Sequence, residues 1–241
     1  MAGYGLAIDV YAVEQETLTT LRRDGLAVLP DRFADLLPFR RHLDGCPVYA
    51  NHVRQGKTLE GTLGARPVMC HDMADVIAAP GFFKLALALT PLAQSYLGVE
   101  PVLYSLNAFY TEPTAKEKPD IQHFHRDTDD TSFLALFLYG TDVLRRRDGP
   151  HEFFYGTHRP GGGSRIREIY GLAGTLFLAD TRGWHRGAMP SSRRLLAWAR
   201  WGVSDPPAAY KWDGLQPVDR ARVPDYPDDP VLRRIVRLVA A

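Results

Sequence analysis

Val102-Leu-Tyr-Ser-Leu-Asn-Ala-Phe-Tyr110 is the stretch at which the character of this chain changes. Its apolar residues alternate, which is the period of a β-strand. Alternating runs recur at Phe133–Tyr139, Glu152–Tyr155, Ile166–Tyr170, Thr175–Leu178 and Leu195–Val203, divided by turn-forming pieces such as Arg147-Asp-Gly-Pro150, Gly161-Gly-Gly163 and Pro190-Ser-Ser. Upstream, the pattern is helical. Val13 to Arg23 has helical spacing, with acidic residues early and arginines late. Phe33 to Leu43 is a second helical stretch, where Pro38 predicts a break or a new start. Pro80 to Leu97 is the longest, opened by proline, ended by Gly98 and expected to kink at Pro91. Leu26–Pro30 reads as a short strand stopped by its proline, and residues 46–78 as irregular. After a turn at Ser204-Asp-Pro-Pro207, one amphipathic helix is expected over Pro230–Ala240. Helices first, then six or more closely spaced strands, predict an α+β fold whose β portion is a sandwich or barrel of jelly-roll type. With no internal repeat, a single domain over 1–241 is expected: a helical N-terminal region over 1–100, a β-barrel core over 101–203, and a tail with a helix over 204–241.

Composition narrows the function classes. In 241 residues, 29 Lys+Arg stand against 28 Asp+Glu, a net charge of +1, which leaves no electrostatic footprint for nucleic acid. Two cysteines, Cys46 and Cys70, cannot build a disulfide framework or a zinc ribbon and point to a reducing compartment. The first residues lack the basic-then-apolar pattern of a signal peptide, and no apolar run approaches the ~20 residues of a membrane span. The expectation is a cytoplasmic protein that acts on a small molecule, with no nucleic acid or membrane partner.

The eight histidines carry the chemistry. With 28 acidic residues in 241, about one His-x-Asp/Glu pair is expected by chance, and the chain contains two. His42-Leu43-Asp44 ends a helical stretch and reads as a solvated surface pair. His125-Arg126-Asp127 follows the strand-like Ile121-Gln-His-Phe-His, and in a strand residues i and i+2 share a face. An imidazole and a carboxylate then converge, two-thirds of a facial triad for non-haem Fe(II). Asp180-Thr-Arg-Gly-Trp-His185-Arg-Gly supplies the third candidate, His185, on a Gly-flanked turn past a strand end. By the same rule, His123 shares a face with His125 and is expected either to line the site or to pack.

Ser192-Arg193-Arg194-Leu-Leu-Ala-Trp-Ala-Arg-Trp201 adds a strand with two arginines at its start. Arg193, Leu195, Ala197, Ala199 and Trp201 share one face, apolar beyond its arginine, as where a sheet meets helices. Arg194, Leu196, Trp198 and Arg200 share the other, which mixes charge and aromatic as a polar lumen does. A lumen arginine is suited to hold a dicarboxylate by a bidentate fork. Arg194 is the candidate, and Arg193 reads as a solvated strand end.

These segments resemble the phytanoyl-CoA dioxygenase-like family. Leu21-Arg-Arg-Asp-Gly-Leu-Ala-Val-Leu-Pro30 looks like the opening of its members, Gln122-His-Phe-His125-Arg-Asp127 like their metal motif, and Asp148-Gly-Pro-His151 to His158 like the segment that follows. Gly174 to Gly187 is similar to their distal-histidine strand, and the likeness runs from about residue 17 to 203. The resemblance implies a double-stranded β-helix with helices on its major sheet, holding Fe(II) and using 2-oxoglutarate and O2 to hydroxylate a metabolite, with release of succinate and CO2. It implies His125, Asp127 and His185 as iron ligands, Arg194 as partner of the 2-oxoglutarate distal carboxylate, and Asn107 as a further contact to the co-substrate. His151 and His158 fall at turn positions of their segment and read as structural. A carboxylate at 127 fills the place that related halogenases leave small, so hydroxylation is the expected outcome, with desaturation or ring formation open to the same chemistry.

Three rivals stand beside this reading: a cupin-like metal enzyme that uses no 2-oxoglutarate, a non-catalytic binding module on the same fold, and a zinc hydrolase, for which no placed general base is visible. For substrate recognition, Arg145-Arg-Arg147, Arg182 and Arg186 are loop cations, and Phe109, Tyr110, Trp184 and Trp198 are candidates for an apolar wall.

Overall fold

The computed structural model describes residues 10–50, 68–113, 123–212 and 214–241. Helix α1 (Val10–Asp24) leads into strand β1 (Leu26–Arg32), followed by α2 (Leu36–Asp44) and two short strands, β2 (Tyr49–Ala50) and β3 (Val68–Cys70). Then come α3 (Met73–Ala78), α4 (Phe82–Leu97) and the strands β4 (Val102–Thr111), β5 (Phe133–Tyr139), β6 (His151–Phe154), β7 (Ile166–Ile169), β8 (Thr175–Ala179), β9 (His185–Gly187) and β10 (Arg194–Gly202). The chain closes with α5 (Ala208–Trp212) and α6 (Pro230–Val236). Among the described residues, seven strands form one sheet in the order β1-β8-β5-β10-β4-β3-β2 and three a second in the order β7-β6-β9, and the strand pairings within both sheets are antiparallel. No helix among the described residues is long and apolar enough to cross a membrane.

Side-chain alternation divides the large sheet between two cores. Leu134, Leu136 and Leu138 of β5, Leu176 and Leu178 of β8, and Leu195, Ala197, Ala199 and Trp201 of β10 pack with Phe39, Phe82, Phe83 and Leu89 of the helices. The opposite face, with Phe137, Tyr139, Phe177, Leu196 and Trp198, packs on Phe153 and Ile169 of the small sheet. Strand β5 is therefore buried along its whole length, which is why its sequence is almost continuously apolar.

Several expectations are corrected. Pro30 does not stop β1, which runs to Arg32: β1 is an edge strand whose register breaks between Val28 and Arg32, where a missing N–H costs no ladder bond. Helix α2 starts at Leu36 rather than Phe33, with Pro38 in its first turn, where an N–H has no intrahelical partner, so the proline marks a new start and not a break. Pro91 lies inside α4, and, as expected, Gly98, in the left-handed region at φ 77°, closes the helix by donating its N–H to Gln94 O. Residues 46–78 include β2, β3 and α3, too short to show a period. Near the start of β4 the ladder pairs Arg200 with Ser105 but Trp201 with Leu103, a bulge that frees Tyr104 from the alternation.

Trp201 is fully buried on the helix side, and its indole N–H donates to Thr90 Oγ1 of α4 at 3.2 Å. Trp201→Ala is expected to cost about 3–5 kcal/mol of stability by removing a large core side chain. Urea denaturation of the variant against wild type measures it.

Candidate metal centre

His125 is held by one β-bridge. Its N–H donates to His185 O at 3.0 Å, and His185 N–H returns the bond to His125 O at 2.9 Å. Two residues on, Asp127 N–H donates to Thr181 O at 2.9 Å. The strand expected over Ile121–His125 is thus corrected. Ile121 and Gln122 lie outside the described residues, and the rest of that segment contributes this single bridge. His185 is not on a turn; it opens β9, in the small sheet.

Each imidazole is aimed by its other nitrogen. Nδ1 of His125 lies 2.9 Å from His123 O, and Nδ1 of His185 lies 2.9 Å from Gly183 O. A carbonyl only accepts, so both Nδ1 atoms carry the proton, and in the neutral ring each Nε2 then presents a lone pair. Those lone pairs face one carboxylate: His125 Nε2 is 3.6 Å from Asp127 Oδ1, and His185 Nε2 is 3.7 Å from Asp127 Oδ2. The two rings are 4.4 Å apart between centroids. One donor atom from each residue lies within 4.8 Å of the others, the group among the described residues whose spacing suits a metal ion. Ligand bonds of ~2 Å at right angles place donors ~3 Å apart, so a small inward movement of each side chain closes the set on one ion. Burial lowers the His185 pKa, which favours the neutral, ligating imidazole. His123, expected on the same side as His125, is exposed and contributes its carbonyl instead.

Behind the carboxylate stands a charge network that the motifs do not reveal. Arg200 Nη2 donates to Asp127 Oδ2 at 3.1 Å, and Arg200 Nη1 pairs with Asp129. The Tyr104 hydroxyl, released by the β4 bulge, donates to Asp129 Oδ2 at 2.7 Å. Burial works to raise the Asp127 pKa, but the Arg200 charge foremost holds it below the usual carboxylate range. Arg200 lies on the face of β10 that alternation assigns to the lumen; its partners on residues 127–129 and β4 leave no trace in local spacing.

The three residues border a cavity of about 290 Å³ between the sheets. Arg194 enters it from β10 and is 4% exposed, whereas Arg193 points outward, 51% exposed at its side chain, pairs with Glu112 at 2.8 Å and lies over the Tyr110 ring. Arg194 donates to Gly149 O, and its Nη2 lies 3.4 Å from Thr111 Oγ1. Among the described residues no carboxylate pairs with it, and burial lowers its pKa. Gly149 is in the left-handed region at φ 76°, and a Cβ there would fall 2.6 Å from Ala188 O, so the carbonyl that holds Arg194 depends on glycine. Asn107 lines the same cavity from β4, opposite Trp198. Phe109 and Trp198 belong to its wall, with ring centroids 4.9 Å apart; Tyr110 packs on the helix side and Trp184 is exposed.

Other expectations are redirected. His151 is not in a turn but opens β6, buried in the cavity with its ring stacked on that of His185 at 5.5 Å. His158, by contrast, lies in a turn as expected and is not among the residues that line the cavity. Asp44 is exposed, as expected, and accepts a 2.6 Å hydrogen bond from the Tyr110 hydroxyl that ties α2 to β4, while His42 is half-buried. Three of the loop cations are engaged: Arg182 with Asp180 at 2.5 Å, Arg186 with Glu152 at 2.7 Å, and Arg146 with Glu152 at 3.1 Å.

No family model matches this sequence, so the phytanoyl-CoA dioxygenase-like likeness rests on its motifs alone. No curated protein matches it either. Solved structures do resemble the fold. HygX from Streptomyces hygroscopicus, with nickel and 2-oxoglutarate bound, superposes with a TM-score of 0.58 at 14% identity, over 79% of this chain and 87% of that one. The non-heme alpha-ketoglutarate-dependent epimerase SnoN from nogalamycin biosynthesis superposes with 0.59 at 20% identity, over 79% and 83%. AviO1 from Streptomyces viridochromogenes Tue57 gives 0.54 at 17% identity, over 81% and 97%. At these identities the likeness is one of fold.

The buried network makes a prediction independent of any ligand. Arg200→Ala leaves Asp127 and Asp129 without their shared cation, so stability is expected to fall by about 3–5 kcal/mol. Adding Asp129→Asn is expected to recover some of that loss in urea denaturation. A single-variant loss below about 1 kcal/mol would show that the network is not a structural charge pair.

Proposed function

We propose that this protein is an Fe(II)- and 2-oxoglutarate-dependent dioxygenase on a double-stranded β-helix, one domain over 1–241, that hydroxylates a small-molecule metabolite and releases succinate and CO2. The observation that carries the reading is the convergence of His125, Asp127 and His185 at the edge of a cavity that also contains a buried arginine with no carboxylate partner among the described residues. Two neutral imidazoles and one carboxylate suit non-haem iron, and they occupy one face of an octahedron, leaving positions open for a chelating co-substrate and O2. Arg194, with Thr111 beside it, suits the distal carboxylate of 2-oxoglutarate, and Asn107 is a further contact to the co-substrate. The fold neighbours add support, since HygX is described with nickel or iron and with 2-oxoglutarate bound.

When bound, iron with 2-oxoglutarate and O2 supplies an oxidant able to remove hydrogen from an unactivated carbon. The chain's own role is positional. His123 O and Gly183 O hold the two imidazoles in the ligating tautomer, and Arg200 keeps Asp127 ionised and directed at the same point. Phe137, Leu196 and Trp198 give the co-substrate region apolar walls that exclude water. We place the protein in the cytoplasm on its cysteine usage alone. HygX with hygromycin B and SnoN with nogalamycin RO bind small natural products, and a small molecule is the substrate class proposed here.

A second reading keeps the same site and changes the outcome, because the neighbours include the epimerase SnoN and the carbocyclase SnoK. Product mass separates the two: one added oxygen marks hydroxylation, an unchanged mass epimerisation, and loss of two hydrogens ring closure.

His125→Ala and Asp127→Ala are each expected to abolish iron-dependent succinate formation from 2-oxoglutarate while circular dichroism remains that of wild type. Normal succinate release by Asp127→Ala would overturn the ligand assignment. Arg194→Ala is expected to raise the KM for 2-oxoglutarate about 30-fold or more, the loss of one partner of a buried charge pair. Arg193→Ala is expected to leave that KM unchanged, and the reverse ranking would contradict the assignment of strand faces.

A further inference from the structure

His151 lines the cavity yet belongs neither to the metal ligands nor to the partners of Arg194. Its side chain shares the inward face of β6 with Phe153. On one side its ring stacks on His185, with centroids 5.5 Å apart and planes 20° from parallel. On the other, its ladder partner is Gly187, and a Cβ at Gly187 would lie 3.2 Å from Arg194 Nη2. The imidazole therefore stands between the metal-facing histidine and the buried guanidinium.

Its remaining neighbours are apolar. Phe137 lies 5.0 Å and Phe177 5.2 Å away between ring centroids. Within this setting His151 Nε2 is buried and has no hydrogen-bond partner among the described residues. An unsatisfied buried polar atom costs about 1–3 kcal/mol, and a leucine among the same aromatic rings would carry no such cost. The group that repays it is one that enters the cavity.

Resting on the reading of this cavity as a 2-oxoglutarate site, we propose that His151 Nε2 donates a hydrogen bond to the distal carboxylate of the bound co-substrate, beside Arg194 and Thr111. The carboxylate has lone pairs for both donors, and the other end of the co-substrate faces the metal ligands. Arg194 supplies charge, and His151 fixes the angle at which the dicarboxylate lies. His151 is thus a positioning residue for the co-substrate, and a further reason for Gly187, whose missing side chain leaves its two neighbours room to address one ligand.

The test is calorimetric titration of 2-oxoglutarate into the manganese(II)-loaded full chain without oxygen, comparing wild type, His151→Leu and His151→Gln. The leucine variant is expected to bind about 10- to 100-fold more weakly, the value of one hydrogen bond to a charged group. The glutamine variant, which keeps an N–H donor, is expected to recover most of that loss. Oxalate, which engages the metal and has no distal carboxylate, is expected to bind wild type and His151→Leu alike. Should the leucine variant not fold by circular dichroism, His151→Phe takes its place with the same expectation. Equal affinity of wild type and the apolar variant for 2-oxoglutarate, or an equal loss for oxalate, overturns the inference. Binding of manganese but no 2-oxoglutarate by wild type is a different result, and it overturns the proposed function along with the inference.

Discussion

The pair of backbone hydrogen bonds between His125 and His185 is the constraint on which the site depends. It joins the 123–129 segment to β9, elements 60 residues apart in sequence, and sets their backbones antiparallel. Each histidine then finds the carbonyl two residues before it, His123 O or Gly183 O, within reach of its own Nδ1. Two local bonds of the same form thereby turn two lone pairs toward one point. Asp127, kept in register by its bond to Thr181 O, brings its carboxylate to that point. Backbone geometry does most of the aiming, which leaves the three side chains few alternatives.

Electrostatics then separates two arginines on one strand. Arg200 is shared by Asp127 and Asp129, with Tyr104 completing the second carboxylate's bonds. Arg194, six residues earlier on the same face, has a carbonyl and a hydroxyl for partners. A buried cation whose charge is already matched has little to offer an incoming anion; one that is unmatched gains much from it. Under the proposed reading, an incoming carboxylate is drawn to the Arg194 end, while the end at His125 and His185 holds the acidic residues. That polarity matches a ligand with one end on a cation of the protein and the other on a metal, and it sets the direction in which such a ligand lies.

Much of this arrangement is legible in the sequence. The alternation of Arg193 to Trp201 divides the helix face from the lumen because β10 is buried on both sides and central in its sheet. His125, Asp127 and His185 stand out because ligand chemistry restricts residue type. Less is legible where long-range contacts decide. The extended segment at His125 lacks a ladder and is positioned by His185, and β9 is only three residues long. His151 reads as a turn residue from its neighbours in sequence, Gly149 and Pro150, whereas its place is decided by its partner Gly187 across the small sheet. Arg200 joins Asp127, Asp129 and Tyr104 across three segments and a bulge, an arrangement with no local period to betray it.

The most direct measurement of the central claim is a crystal structure of the chain grown without oxygen in the presence of ferrous iron, with diffraction recorded at the iron absorption edge. The account predicts one anomalous peak about 2 Å from His125 Nε2, His185 Nε2 and an oxygen of Asp127. An anomalous map with no peak at that point, or with iron bound by other residues, would contradict it.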